Sequence, residues 1–212
     1  MRRQPLLLAF GLVVIATSVA SAATTQDMTL TATVAEASWD TYNPDTGLGE
    51  FGGIQVVRES GATYAVLQRA VGELVLCDGA GTPDDPSDDF YGFVGKTTFG
   101  VGTATVTVGR QYTSAKASGT VAVDVQTVND CTGALGVPQQ RTVKFSLSVV
   151  AVSGLIKETT KSIVRIPSEL TAHSQLRGVY RQAAGTVKLG TVVIDADAIV
   201  GQVTLRTHET VH

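Results

Sequence analysis

Val143-Lys144-Phe145-Ser146-Leu147-Ser148-Val149 is the stretch that decides the fold class. Apolar and polar residues alternate without a break. An extended strand sends successive side chains to opposite faces, so this segment has one buried face and one wet face. A helix would scatter the same four apolar side chains around its circumference. The pattern recurs on both sides of it. Met28, Leu30, Ala32 and Val34 alternate with Thr29, Thr31 and Thr33. Val121, Val123 and Val125 are apolar, with Thr120 and Asp124 opposite.

Further strand-like runs are Ile54 to Val57 and Thr63 to Leu67, joined by a Glu59-Ser60-Gly61 turn. Then come Glu73 to Cys77, Phe99 to Val108, Ala115 to Val125, Ser162 to Ile166, Gln175 to Tyr180, Thr186 to Leu189, Val192 to Ile194 and Ile199 to Leu205. The spacing predicts about ten or eleven short strands. Composition agrees: of 212 residues, 30 are Val, 28 Thr and 22 Gly, and β-branched side chains suit a pleated surface. Hydrophobic residues make up 43% and charged residues 17%, which excludes a disordered, charge-rich chain. Ala65 to Leu76 comes nearest to a helical period, and its β-branched content opposes it. Without helices there are no parallel crossovers, so the strands pair antiparallel in a sandwich or a barrel. No repeat or Pro-rich linker divides the chain. One domain over 24–212 is expected, and any seam would fall near 133–140.

The first 23 residues read as a signal peptide. Arg2 and Arg3 form a basic start, Leu6 to Ile15 an apolar core too short to span a membrane, and Ala20-Ser21-Ala22 a cleavage pattern. A secreted bacterial protein beginning near Ala23 or Thr24 is expected. The formal charge is −3. The chain has no basic excess, which argues against nucleic acid as a partner, and loss of Arg2 and Arg3 takes the exported form to about −5, which argues against adhesion to anionic lipid or teichoic acid. No membrane span is expected.

Cys77 and Cys131 are the two cysteines. An even pair in an exported chain reads as one intrachain disulfide. Catalytic thiols would need a basic neighbourhood, and each cysteine instead has an aspartate beside it.

The runs Cys77-Asp78-Gly79, Phe99-Gly100-Val101-Gly102-Thr103-Ala104-Thr105-Val106 and Ala115-Lys116-Ala117-Ser118-Gly119, followed by Cys131, resemble exported immunoglobulin-like β-sandwich proteins of high-GC Gram-positive bacteria. The resemblance implies an antiparallel sandwich stapled by Cys77–Cys131 and carries no activity. The chain departs from true immunoglobulin domains in having no Trp between its cysteines, Trp39 lying upstream.

Three patterns bear on chemistry. His208-Glu209-Thr210-Val211-His212 matches H-E-x-x-H, which binds zinc when it lies on a helix. Here it continues an alternating strand, where its histidines would sit about 13 Å apart, too far for one metal. Asp84, Asp85, Asp88 and Asp89 are candidate Ca2+ ligands, in a loop that lacks the glycine and distal glutamate of an EF-hand. Asp195 and Asp197 are a smaller acidic pair, read as straddling a turn. No cofactor beyond that Ca2+ is expected. Trp39, Tyr42 and Tyr91 are the candidate binding aromatics. With Phe90 and Phe93 they either form a contact platform or cap the ends of the fold.

The sequence therefore points to a non-catalytic extracellular binding or structural module, with an extracellular protein or envelope glycan as partner. An extracellular hydrolase or glycan-active enzyme would need a cleft of convergent carboxylates. An envelope assembly subunit acting by β-strand addition would need an open strand edge, at Met28 to Val34 or Ile199 to Leu205.

Overall fold

The computed structural model of the protein describes residues 25–79, 87–166 and 170–211. The expected signal peptide lies outside them. The expected all-β class holds. The described residues form ten antiparallel strands: β1 (Thr25–Tyr42), β2 (Leu48–Glu59), β3 (Ala62–Cys77), β4 (Phe90–Val108), β5 (Ser114–Asn129), β6 (Ala134–Leu135), β7 (Gln139–Ala151), β8 (Ile156–Ile166), β9 (Leu170–Leu189) and β10 (Val192–Val211).

The strands belong to one sheet, where an immunoglobulin-like sandwich would have two. They run in the order β1-β2-β3-β4-β5-β7-β9-β10, and β10 pairs back onto β1 from Ser38↔Asp197 to Thr25↔Thr210. That last pairing closes an eight-stranded barrel. Followed strand to strand, the paired positions return to β1 about ten residues further along, the stagger a tilted closed barrel requires. Alternation alone cannot separate the two architectures, because both bury every second residue. What decides is a set of partners far apart in sequence.

The barrel is filled. Ile54, Val56, Leu67, Val121, Leu147, Val149, Val187 and Val200 point inward and are fully buried. Eight strands leave an interior about as wide as interdigitating side chains need. Large and small residues are matched across it. A Cβ on Gly52 would lie 2.6 Å from the Trp39 ring, and one on Gly119 would lie 2.9 Å from the Phe145 ring. Much of the wall's outward face is polar, including Ser118, Asp124, Lys144, Ser146, Ser148, Lys188, Asp195 and Asp197. That is the reverse of the apolar outer band of a membrane-spanning barrel. No helix among the described residues is long and apolar enough to cross a membrane.

Two extensions leave the barrel at opposite ends. At one, β3 and β4 run on past the start of β2, and Cys77–Cys131 ties β3 to the chain just after β5. The expected disulfide is thus present, bridging over the tip of β4, where Gly92 lies beneath it. At the other end, the outer halves of β1, β10, β9 and β8 form a four-stranded arm. The long β9 makes this possible. One edge pairs with β10 throughout, while the other is shared between β8 (Leu170 to Tyr180) and β7 (Ala183 to Leu189). Runs read from sequence as separate strands, such as Gln175 to Tyr180 and Thr186 to Leu189, are parts of one strand. Gly185, which falls between those two runs, sits within a continuous ladder.

Candidate functional site

The disulfide end carries the main concentration of exposed aromatic surface. Tyr42, Phe51, Leu74 and Phe93 share the outer face of β1 to β4, because each pairs in register with a residue of the same orientation. They wall a groove of about 320 Å³, floored by Gly49 and Gly72 with Asp40 at its side. The floor is flat for a physical reason. Gly72 and Gly95 face one another across β3 and β4, and the Phe93 ring lies over them, 2.8 Å and 2.7 Å from where their Cβ atoms would be. Any side chain there would strike the facing strand's carbonyl oxygen, Val94 for Gly72 and Val71 for Gly95, as well as the ring. Phe51 meets Phe93 edge-on, with centroids 5.7 Å apart. Leu76 and Tyr91, a paired couple further along the same face, extend the strip, Tyr91 being 76% exposed. Tyr42, Phe51 and Leu74 are each about half exposed.

Of the aromatics singled out from sequence, the structure thus brings Tyr42 and Tyr91 to one outer face and separates Trp39 from them. Trp39 is 5% exposed and points into the barrel. Its Nε1 donates to Glu50 Oε1 at 3.1 Å, and Glu50 is clasped by Arg69 through two further bonds of 2.8 and 2.9 Å. This network closes the barrel mouth. Sequence reading passed over Glu50 and Arg69, yet alternation places them. They continue the inward rows of Ile54 and Leu67 to the point where the core meets water. At the opposite mouth Tyr112 packs on the core, and its hydroxyl donates to Gln202 at 3.5 Å.

Asp84 and Asp85 lie outside the described residues. Asp88 and Asp89 are joined by Asp78, which sequence reading did not include, and their carboxylate oxygens lie within 4.8 Å of one another. Asp195 and Asp197 do not straddle a turn. Both stand mid-strand on the outer wall of β10. His208 lies on a strand, as the alternation requires, and its Nδ1 is 2.6 Å from Asp27 Oδ1 on β1. His212 lies outside the described residues.

Glu36 is the carboxylate whose pKa burial raises, an effect partly offset by the hydrogen bond it accepts from Gln55. It stands on the outer wall and does not line the groove. No family model, curated protein or solved structure matches the chain.

Proposed function

We propose that the protein is exported and works outside the cell as a non-catalytic binding module, with the Tyr42–Phe51–Leu74–Phe93 groove as its contact surface. One observation carries the reading: a flat, glycine-floored groove walled by half-exposed aromatic and aliphatic side chains. Apolar surface kept in water at that density marks a contact site. A catalytic cleft would set convergent titratable groups around a reacting atom; among the described residues this groove offers one carboxylate, Asp40, and the Tyr42 phenol.

Its chemistry favours a protein over a glycan. Phe51 and Phe93 meet at 67°, edge to face, and leave no coplanar platform for a sugar ring. Tyr42 and the Phe pair resemble the aromatic anchors of protein interfaces. The module needs no cofactor for this role.

The test uses protein secreted by its native host, with N-terminal sequencing to establish where it begins. Intact, protease-treated and muramidase-treated envelopes of that host are compared as binding partners. Retention should survive muramidase, fail after protease, and drop at least tenfold in Phe51→Ser with melting unchanged. Retention that tracks the glycan, or is indifferent to Phe51, would refute the reading.

Strand addition is a second reading, favoured by two open edges. Among the described residues, β1 pairs with β10 alone over Thr25 to Thr31, and β8 pairs with β9 alone. Ile199 to Leu205, the other edge considered, is paired on both sides. An added strand would slow amide exchange at Thr25 to Thr31 or along β8 in envelope-bound protein; unchanged exchange would dismiss it.

A further inference from the structure

The arm has two chemically opposed faces, and one of them is cationic. Its cross-strand rows put Arg165, Lys161 and Lys157 of β8, Arg177 of β9 and Arg206 of β10 on the face that continues the barrel interior. All five side chains are exposed, and none of them forms an ion pair among the described residues. The acidic group on this face is Asp27, and His208 already engages it. His173 stands beside His208 in the same row. The reverse face carries Glu158 and Glu209 and no cation. In a chain whose overall charge is negative, this is segregation of charge.

We propose that this face binds a linear polyanion whose backbone repeats phosphate groups between hydroxyl-bearing units. The spacing argues for a polymer. Lys157, Lys161 and Arg165 recur every four residues along β8, about 13 Å apart at strand rise, and Arg206 lies two strands over, about 10 Å away. No small anion reaches across such a footprint, whereas a chain of phosphates does. A groove of about 290 Å³ runs between Lys161, Gln175 and Arg206 to receive it. Thr29, Thr31, Thr159 and Thr204 occupy the positions between the cations, offering hydroxyls to a polyol or sugar. Phe, Tyr and Trp are missing from these rows, which leaves unpaired nucleobases only the exposed imidazoles of His173 and His208 to stack on. Ile163 is the one exposed large apolar side chain here, too little to anchor a lipid surface. The inference does not rest on the aromatic groove, which lies at the other end of the barrel.

The probe is poly(glycerol phosphate), titrated onto the secreted protein at several salt concentrations, with dextran, phosphatidylglycerol vesicles and single-stranded DNA in parallel. Binding should appear near 50 mM salt. It should weaken as salt rises, with a log–log slope of about −0.7 to −0.9 per cation engaged. The double variant Lys161→Gln/Arg206→Gln should lose at least tenfold in affinity and flatten that slope by about 1.5. Lys144→Gln/Lys188→Gln, on the barrel wall, should change affinity less than twofold. No binding to the polymer, or equal losses in the two doubles, would overturn the proposal. Tighter binding to vesicles or DNA than to the polymer would overturn the assignment of its ligand.

Discussion

Breaking the Cys77–Cys131 bridge should cost the protein a large share of its stability while leaving the barrel closed. The cysteines are 54 residues apart. Constraining a loop of that length in the unfolded chain is worth roughly 4 kcal/mol in the chain-entropy model. Cut near Ala23, as the proposed export implies, the chain would have about 190 residues and unfold with an entropy near 0.4 kcal/mol per kelvin, so 4 kcal/mol corresponds to a drop of about 10 °C in Tm. The barrel itself survives on paper, because every ladder that closes it is made by strand pairing away from the bridge. The assay is melting by circular dichroism with and without reductant, with alkylation and intact mass to count thiols. A Gly92→Ala variant checks the placement. Its new Cβ would lie 2.6 Å from Cys77 Sγ and 3.1 Å from Asp130 Cβ. The substitution should therefore cost more in the oxidised protein than in the reduced one. Two free thiols in natively secreted protein would refute the bridge. A Tm that moves less than about 2 °C on full reduction would refute the entropic argument.

Arg69→Met should cost about 1–3 kcal/mol, since it leaves the Glu50 carboxylate without its cation at the barrel mouth; urea melting followed through Trp39, the single tryptophan, measures it. Glu36→Gln should stabilise the protein at pH 7. Burial raises the folded pKa of Glu36 above 4.5, so ionisation opposes folding once pH passes that range, and the gain should fade as pH falls below it. Gly72→Ala should press β3 off the Val94 carbonyl of β4, displace the Phe93 ring, and lower both Tm and envelope binding, read in the same two assays. Ca2+ should bind at Asp78, Asp88 and Asp89 with a dissociation constant weaker than about 10 µM by calorimetry, because three carboxylates each turning one oxygen to a common centre supply half or less of the six to eight oxygens the ion takes.

Much of the barrel was legible in the sequence. Val143, Phe145, Leu147 and Val149 read as one buried face, and all but the partly buried Val143 lie below 5% exposure. The disulfide followed from an even cysteine pair. Closure was not legible, since it hangs on β10 meeting β1 across the length of the chain. The site was legible only in pieces. Tyr42 and Tyr91 were visible as loop-adjacent aromatics, but Phe51 and Leu74 join them only once β1, β2, β3 and β4 are set in register. Trp39, near a turn, was open to two readings, contact platform or packed cap, and it is packed. Its parity with Ala35 and Ala37 was the better guide, and all three are buried.

That parity also explains the arm. Along β10 the inward row reads Ile194, Ala196, Ala198, Val200, and then Gln202, Thr204, Arg206, His208. The outward row reads Val193, Asp195, Asp197, Ile199, Gly201, and then Val203, Leu205, Thr207, Glu209. The apolar phase inverts near Gly201 with no slip in pairing. β1 inverts in the same band, from Ala35, Ala37 and Trp39 inward to Leu30 and Met28 outward. β9 does so too, from Val187 and Ala183 inward to Leu176 and Ala172 outward. A one-residue slip would flip one strand alone and break its ladder. Three strands inverting side by side within intact ladders means that the face counted as interior stops being interior there. Beyond that line the lumen-side row meets water, and cations and threonines become the stable occupants. The cationic face therefore begins where the barrel ends, and Met28 to Val34, the first alternation visible in the sequence, marks the outer face of the arm.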